Sequence, residues 1–410
     1  MVKTTKLIHH HYVPPEGFVA PQFPTYQAST VIFANVRSMR STEWKNKTGY
    51  TYGLHGTPTT FTLEERLACI EGALFCQLVP SGLAAIALVN LSLLKTGDEV
   101  LIPSNVYGPN MALVQGELAH YGITHQVYDP MSLDDLASKI SKRTRLVWIE
   151  APGSVTMEFP DLISIAKLCS DKGVISALDN TWGAGLAFNA FQLEKGASEA
   201  SSSAGVDLTI QALTKYASGG GDVLMGCVCT RKHELDLKIK LTHMRLGLGV
   251  GADDAQTVLR SLPTMELRYK AQDATARILA KALVNNPFIA QVLHPAVEGS
   301  PGHDHWLALT SNYPISSPGL AASIFSVIFK SELSQAQVDR FCDSLKYFKI
   351  GYSWGGPMSL VVPYDLSLIR PIPSKHTPLA SGHLVRFCIG LEDSGDLLAD
   401  IHQGLALAFN

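Results

Sequence analysis

The sequence predicts an α/β chain: a large domain built on a mostly parallel sheet, then a smaller α+β C-terminal domain. Three observations predict it. Short apolar runs without polar alternation recur up to about residue 216, among them ALFCQLVP, DEVLIPS and TRLVWIEAPGS. Such runs suit strands buried on both faces. Helical stretches separate most of them, as strand–helix–strand connections require. Past about residue 253 long helical patterns take over, DDAQTVLRSL and ELRYKAQDATARILAKALVNN.

Along the chain, the first sixty residues are rich in Pro, Thr and aromatic side chains, with little helical periodicity. They read as an arm, residues 1–60, that lies on another surface. His9 to His11 sit in it and read as polar arm residues. LEERLACIEG is amphipathic at helix spacing. GLAAIALVNLSLLKTGD is a helix closed by Gly97. The alternation continues through GITHQVYDP, GVISALDNTW and VDLTIQALTKY. ASEASSSAG at 197–205 reads as a surface loop. These elements place the large domain at 61–255. The remainder, 256–410, holds the long helices, the strands AASIFSVIFK and HLVRFCIGLE, and a last helix, DLLADIHQGLALAF.

Composition excludes several function classes. The 410 residues are 46% hydrophobic and 17% charged, with a net charge of −3. No basic field points to nucleic acid or an anionic membrane. No apolar run approaches the ~18 residues of a membrane span. The start, MVKTTKLIHHHYVPP, lacks the apolar stretch of a secretory signal. The seven cysteines, odd in number and scattered, read as reduced thiols in a cytoplasmic protein. Cys227 and Cys229 share one strand face by their spacing. They lack a third and fourth ligand at a plausible distance in sequence, so no metal is expected.

The candidate chemistry gathers at strand ends. Lys215 follows the apolar run in QALTKYASGGGD, just before three glycines. A buried lysine loses its proton more readily and becomes a nucleophile suited to a Schiff base. Alone it also fits a side chain snorkelling into solvent. Asp179 ends the run in ISALDNTW, where a carboxylate also fits a turn cap. Ser81, Gly82 and Leu83 lie where a strand turns into a helix, whose free N–H groups hold a phosphate well; an ordinary N-cap serine is the plainer reading. Tyr107 follows another strand end and is placed to lie on an aromatic ring or to pack. In open α/β sheets ligands collect at the carboxyl ends of strands. A phosphate cradle, an aromatic, a buried acid and a Schiff-base lysine together match what pyridoxal phosphate needs.

The chain further resembles the Cys/Met-metabolism family of pyridoxal-phosphate enzymes. The matching stretches are YGLHGTPT, PSGLAAI, YGP, EAPGSVTME, LDNTW, QALTKY, GHDHW, YSWGGPMSL and VRFCIGLED, in family order across nearly the whole chain. The resemblance implies an aminotransferase-like fold type I subunit, a homo-oligomer that is usually a dimer of tight dimers, and a small amino-acid substrate. It implies that Lys215 holds the cofactor and is catalytic together with Tyr107, which also stacks on the ring. Asp179 matches the partner of the pyridine nitrogen. Ser81, Gly82, Leu83 and Thr214 match the phosphate site, and Tyr52 the tyrosine lent to the neighbouring subunit. Arg386 matches the clamp on the substrate carboxylate, with Ser353 shaping that pocket. Tyr352 and Trp354 flank the serine as in β-eliminating members, where γ-acting members tend to carry an acid and a leucine. The implied reaction is β-elimination of L-cystathionine to L-homocysteine, pyruvate and ammonia, a carbon–sulfur lyase step of methionine biosynthesis. Cystine and other cysteine S-conjugates fit as well, and γ-chemistry is the alternative.

Two departures stand out. The family's arm usually carries Tyr-x-Arg, the arginine reaching the neighbouring phosphate. Here that position is Leu54, leaving His55 as the substitute. Ala212 stands where many members have a serine. Rivals of other classes are weaker. GLGVG at 247–251 lacks the dinucleotide-binding spacing. A non-catalytic binding protein has no reason to keep Lys215, Asp179 and Arg386.

Overall fold

The computed structural model describes residues 22–194, 205–310, 319–370 and 379–409, with a few isolated positions before residue 22. His9 to His11 and residues 197–204 of the Ser/Ala patch lie outside the described residues.

Seven strands form the large sheet: β1 Phe75–Val79, β2 Glu99–Pro103, β3 Thr124–Tyr128, β4 Thr144–Glu150, β5 Ile175–Asp179, β6 Leu208–Ala212 and β7 Gly226–Thr230. Their order is β1-β7-β6-β5-β4-β2-β3. Five neighbouring strands, β6 to β3 in that order, run parallel. β7 runs antiparallel to both β1 and β6. The sheet is mixed but mostly parallel, as expected. The reversal at β7 leaves no mark in the sequence, because GCVCT is buried throughout like its parallel neighbours.

Successive side chains along a strand point to opposite faces. Val79, Ile210 and Val228 therefore meet one helical layer, which includes Gly82–Leu93 and His233–Leu246. Cys76, Leu78, Val147, Leu178 and Cys227 face the other way, towards the helix Pro58–Glu71. That helix starts in a capping box, Thr57 against Thr60, with Pro58 in its first turn. No described helix is long and apolar enough to cross a membrane.

A second sheet contains β8 Ile289–Leu293, β9 Ile324–Phe329, β10 Lys349–Ile350, β11 Leu360–Tyr364 and β12 Leu384–Cys388, in the order β10-β11-β12-β9-β8. On β9 and β12 the side chains divide by parity. Phe325, Val327, Phe329, Val385 and Phe387 fill a core with the helices Met265–Leu283, Gln335–Ser344 and Ser394–Phe409. Ile324, Ile328, Leu384 and Cys388 belong instead to the core of the large sheet. Arg386 has the parity of that second set, which turns it towards the large domain. β8, β10 and β11 lie outside the sequence expectations. LVVPY in β11 contains a proline, which argues against a central strand. It is tolerated because β10 pairs only with Leu360 and Val361, so Pro363 lacks an N–H where no partner strand runs on that side.

The described arm is mostly irregular, with a short helix at Val36–Ser41 and one tight turn at Gly53–His55. Large apolar side chains along it are exposed: Tyr26, Ile32, Val36, Met39, Tyr50 and Tyr52. One sequence expectation needs correction. Cys76 on β1 pairs directly with Cys229 on β7, so a third thiol joins Cys227 and Cys229 on one buried face. It was invisible as a ligand because some 150 residues separate the two strands.

Candidate active site

A cavity of about 1080 Å³ opens at the carboxyl ends of the parallel strands. Its wall includes Ser81, Gly82 and Leu83 after β1, Tyr107 after β2, Glu150 at the end of β4, Asp179 at the end of β5, and Thr214 and Lys215 after β6. Tyr352, Ser353, Trp354 and Arg386 close it from the C-terminal sheet. Of the sequence candidates, Tyr52 and His55 of the arm are not on this wall. Tyr52 is about half exposed and bridged to Thr30 in the arm.

Lys215 lies deep in the cavity. Its Nζ donates to Ser353 Oγ at 2.6 Å and sits 5.4 Å from the centre of the Trp354 ring. Burial, then the positive charge of Arg386, pull its pKa down to about 8. Two backbone features bring the loop of Ser353 this close. Ser353 itself has φ 98°, a left-handed conformation costly for a non-glycine residue, and the Cys388 thiol donates to its carbonyl at 3.3 Å. Gly355 packs against the backbone of Lys215 and Tyr216, where a Cβ would approach to 3.0 Å. Trp354 contacts the Tyr216 ring edge-on at 5.3 Å, while Tyr352 is 80% exposed at the rim.

Asp179 and Glu150 are register partners at adjacent strand ends. Burial raises the Asp179 carboxyl, although the Thr181 N–H at 3.0 Å and the Lys215 charge oppose this. Burial and the nearby Asp179 charge raise Glu150 well above the ordinary carboxylate range. The backbone N–H of Tyr107 donates to Glu150. The Tyr107 hydroxyl is raised by burial, then by those two carboxylates. Its ring is 42% exposed and lies in the cavity wall.

At the start of the helix Gly82–Leu93, Ser81 Oγ accepts from the Ala84 N–H at 3.0 Å, so the plain N-cap reading is also true. The Gly82 and Leu83 N–H groups have no intrahelical acceptor. Gly82 lies so near β6 that a Cβ there would stand 2.7 Å from the Ala212 Cβ. Thr214 Oγ1 faces the Met225 carbonyl at 3.4 Å.

Arg386 is 7% exposed, and its Nε and Nη2 have no hydrogen-bond partner among the described residues. Its guanidinium stands 5.3 Å from the centre of the Tyr364 ring. His55 does not resemble a free cation. Its ring stacks on Trp44 at 4.4 Å, its Nδ1 meets Thr51 Oγ1 at 2.8 Å, and burial lowers its pKa.

Two wall residues escape the sequence reading. Glu150 closes the run TRLVWIE much as Asp179 closes ISALD, and that parallel was a usable signal. Arg370 gave none. It donates to the Ser154 carbonyl, to Thr156 Oγ1 at 2.7 Å and to the Asn105 carbonyl at 3.3 Å, pinning the loop that floors the cavity.

Residues 4–406 match the model of the Cys/Met metabolism PLP-dependent enzyme family. The chain belongs to that family. It is 34% identical to the cystathionine beta-lyase of Bordetella avium over 96% of this chain and 93% of the relative. It is 32% identical to the cystathionine beta-lyase of Escherichia coli K12, over 93% and 92% respectively. Among solved structures it is similar to a cystathionine gamma synthase of Xanthomonas oryzae pv. oryzae, captured with aminoacrylate and cysteine. That structure is 26% identical with a TM-score of 0.84, over 100% of this chain and 98% of the other. Fold type I and dependence on pyridoxal phosphate follow from family membership.

Proposed function

We propose that the chain is a carbon–sulfur lyase that cleaves L-cystathionine by β-elimination, giving L-homocysteine, pyruvate and ammonia. One observation carries the reading. A lysine with its pKa drawn down to about 8 shares a cavity with an arginine whose buried Nε and Nη2 lack a partner among the described residues. A fork of unpaired donors suits a carboxylate, which takes two parallel hydrogen bonds. An α-amino acid held by Arg386 carries its amino group and Cα within the same enclosure as Lys215.

The wall fits pyridoxal phosphate. The Gly82 and Leu83 N–H groups, Ser81 and Thr214 would take the phosphate, Tyr107 the ring face, Asp179 the pyridine nitrogen and Lys215 the aldehyde carbon. The bound cofactor supplies an electron sink for the pair left behind when Cα loses its proton. Lys215, neutral above about pH 8, accepts that proton at Nζ. Ser353 Oγ, 2.6 Å from Nζ, holds the amine in place. Asp179 would keep a proton on the pyridine nitrogen of the bound cofactor. The sulfur leaves Cβ with the C–S electron pair and takes a proton from Lys215 or Tyr107. Water then divides the three-carbon remainder into pyruvate and ammonia.

The choice of β- over γ-cleavage rests on the rim. Tyr352 and Trp354 flank Ser353, and among the described residues the acids on the wall are Glu150 and Asp179, both at strand ends. Among the described residues no further carboxylate lines the cavity to hold the distal ammonium of a γ-substrate. Incubation with L-cystathionine separates the readings: pyruvate supports β-cleavage, while 2-oxobutyrate establishes γ-cleavage, the chemistry suggested by the similarity to a gamma synthase.

The functional unit is an oligomer, a dimer of tight dimers, in which Tyr52 serves the neighbouring chain's cavity. The exposed apolar arm and the absence of Tyr52 from its own chain's cavity support this. The arm is 1–60, the cofactor domain 61–255 and the C-terminal domain 256–410. All seven cysteines are free, in keeping with a cytoplasmic enzyme.

A further inference from the structure

Outside the cavity, the most unusual cluster is the set of three thiols at the sheet edge. Cys76, Cys227 and Cys229 are fully buried, and their Sγ atoms all lie within 4.8 Å of one another. Strand register produces this arrangement. Cys76 stands opposite Cys229, and Cys227 lies two residues on, on the same face. None of the three lines the cavity.

From this geometry we infer that the three thiols form a trigonal binding site for a soft, thiophilic ion of low coordination number, Cu(I). At a metal–sulfur distance of ~2.3 Å, three sulfurs around a planar centre stand about 4.0 Å apart. With all three Sγ atoms within 4.8 Å of one another, the cluster lies within about an ångström of that spacing.

The surroundings favour three ligands over four. Two buried carboxylates flank the thiols, and protein donors already occupy both. Glu64 accepts from Lys47 Nζ at 2.5 Å and from the Leu78 N–H at 3.0 Å. Glu71 accepts from Asn180 at 3.0 Å, from Thr209 at 2.7 Å and from Gln211. Zn(II) in structural sites is almost always tetrahedral and would lack its fourth ligand here. Thiolates select Cu(I) among soft ions, and the trigonal set suits it.

Each ligating thiol gives its proton to solvent. The Lys47 ammonium, 2.7 Å from the Cys76 carbonyl, is held by Glu64. β1 is an edge strand. The bound ion would staple β1 to β7.

The test is a titration of reduced holoenzyme with Cu(I) against a chromophoric Cu(I) chelator. One Cu(I) per chain should leave the chelator, with an ultraviolet sulfur-to-copper band and a rise in Tm. Cys76→Ala, Cys227→Ala and Cys229→Ala should each weaken binding at least tenfold, while Cys169→Ala and Cys342→Ala keep it. X-ray absorption of the wild-type complex should find three sulfurs at about 2.3 Å, a result that does not depend on any variant folding. Two or fewer sulfurs, or full binding after loss of a cluster cysteine, overturns the assignment. Zn(II) competing equally with Cu(I) for the site overturns the trigonal geometry.

Discussion

Replacing Arg386 with methionine keeps most of the side-chain volume and removes the charge. In the free chain its Nε and Nη2 bond to nothing among the described residues, and its guanidinium stands 5.3 Å from the centre of the Tyr364 ring. The guanidinium therefore stands buried and unsatisfied until a carboxylate arrives. Losing one side of a buried charge pair costs about 2–5 kcal/mol. At about 1.4 kcal/mol per decade, KM for L-cystathionine should rise by roughly 30- to 4000-fold. Two further effects separate a clamp from a structural arginine. Removing an uncompensated buried charge should leave Tm unchanged or higher. Arg386 also depresses Lys215 from its usual 10.5 to about 8, second only to burial. The variant's Lys215 should titrate at higher pH. The assays are steady-state kinetics across pH and a thermal melt. An unchanged KM, or a raised KM with a collapsed Tm, refutes the reasoning.

Other outcomes follow from the same geometry. Lys215→Ala should lose both turnover and the visible absorbance of bound cofactor, while circular dichroism keeps its folded signal. Loading of apoenzyme with pyridoxal phosphate needs the neutral amine, so its rate should climb with pH and level off above about 8 rather than near 10.5. The linkage has a matching sign: between those values the unfolded chain binds the extra proton, so the apoprotein gains stability as pH rises through that window. Leu54→Arg should tighten cofactor binding about tenfold in a fluorescence titration, the worth of one charge-assisted contact to phosphate. No gain would mean that the phosphate is already saturated.

Much of this site was legible because a parallel sheet puts chemistry at strand ends. An apolar run followed at once by Asp179 or Lys215 marks both the strand and the ligand edge. Arg386 was legible only through resemblance; its orientation depends on the parity of β12, which places Phe387 in one core and Cys388 in the other. Arg370 and the Cys76–Cys229 pair were hidden for one reason. Their meaning lies in contacts between segments far apart in sequence, and no local pattern encodes those. The strained backbone of Ser353 was hidden too, since nothing in YSWGG announces a left-handed serine. β11 drew no expectation from sequence; its proline is harmless because the neighbouring strand is only two residues long.

The central claim is that the Lys215 amine carries the cofactor. Reduction of the holoenzyme with borohydride, followed by peptide mass spectrometry, tests it most directly. A pyridoxyl mass on the peptide containing Lys215, with the visible band bleached, is the result this geometry predicts. A bleached band with Lys215 unmodified, or the added mass on another lysine, would contradict it.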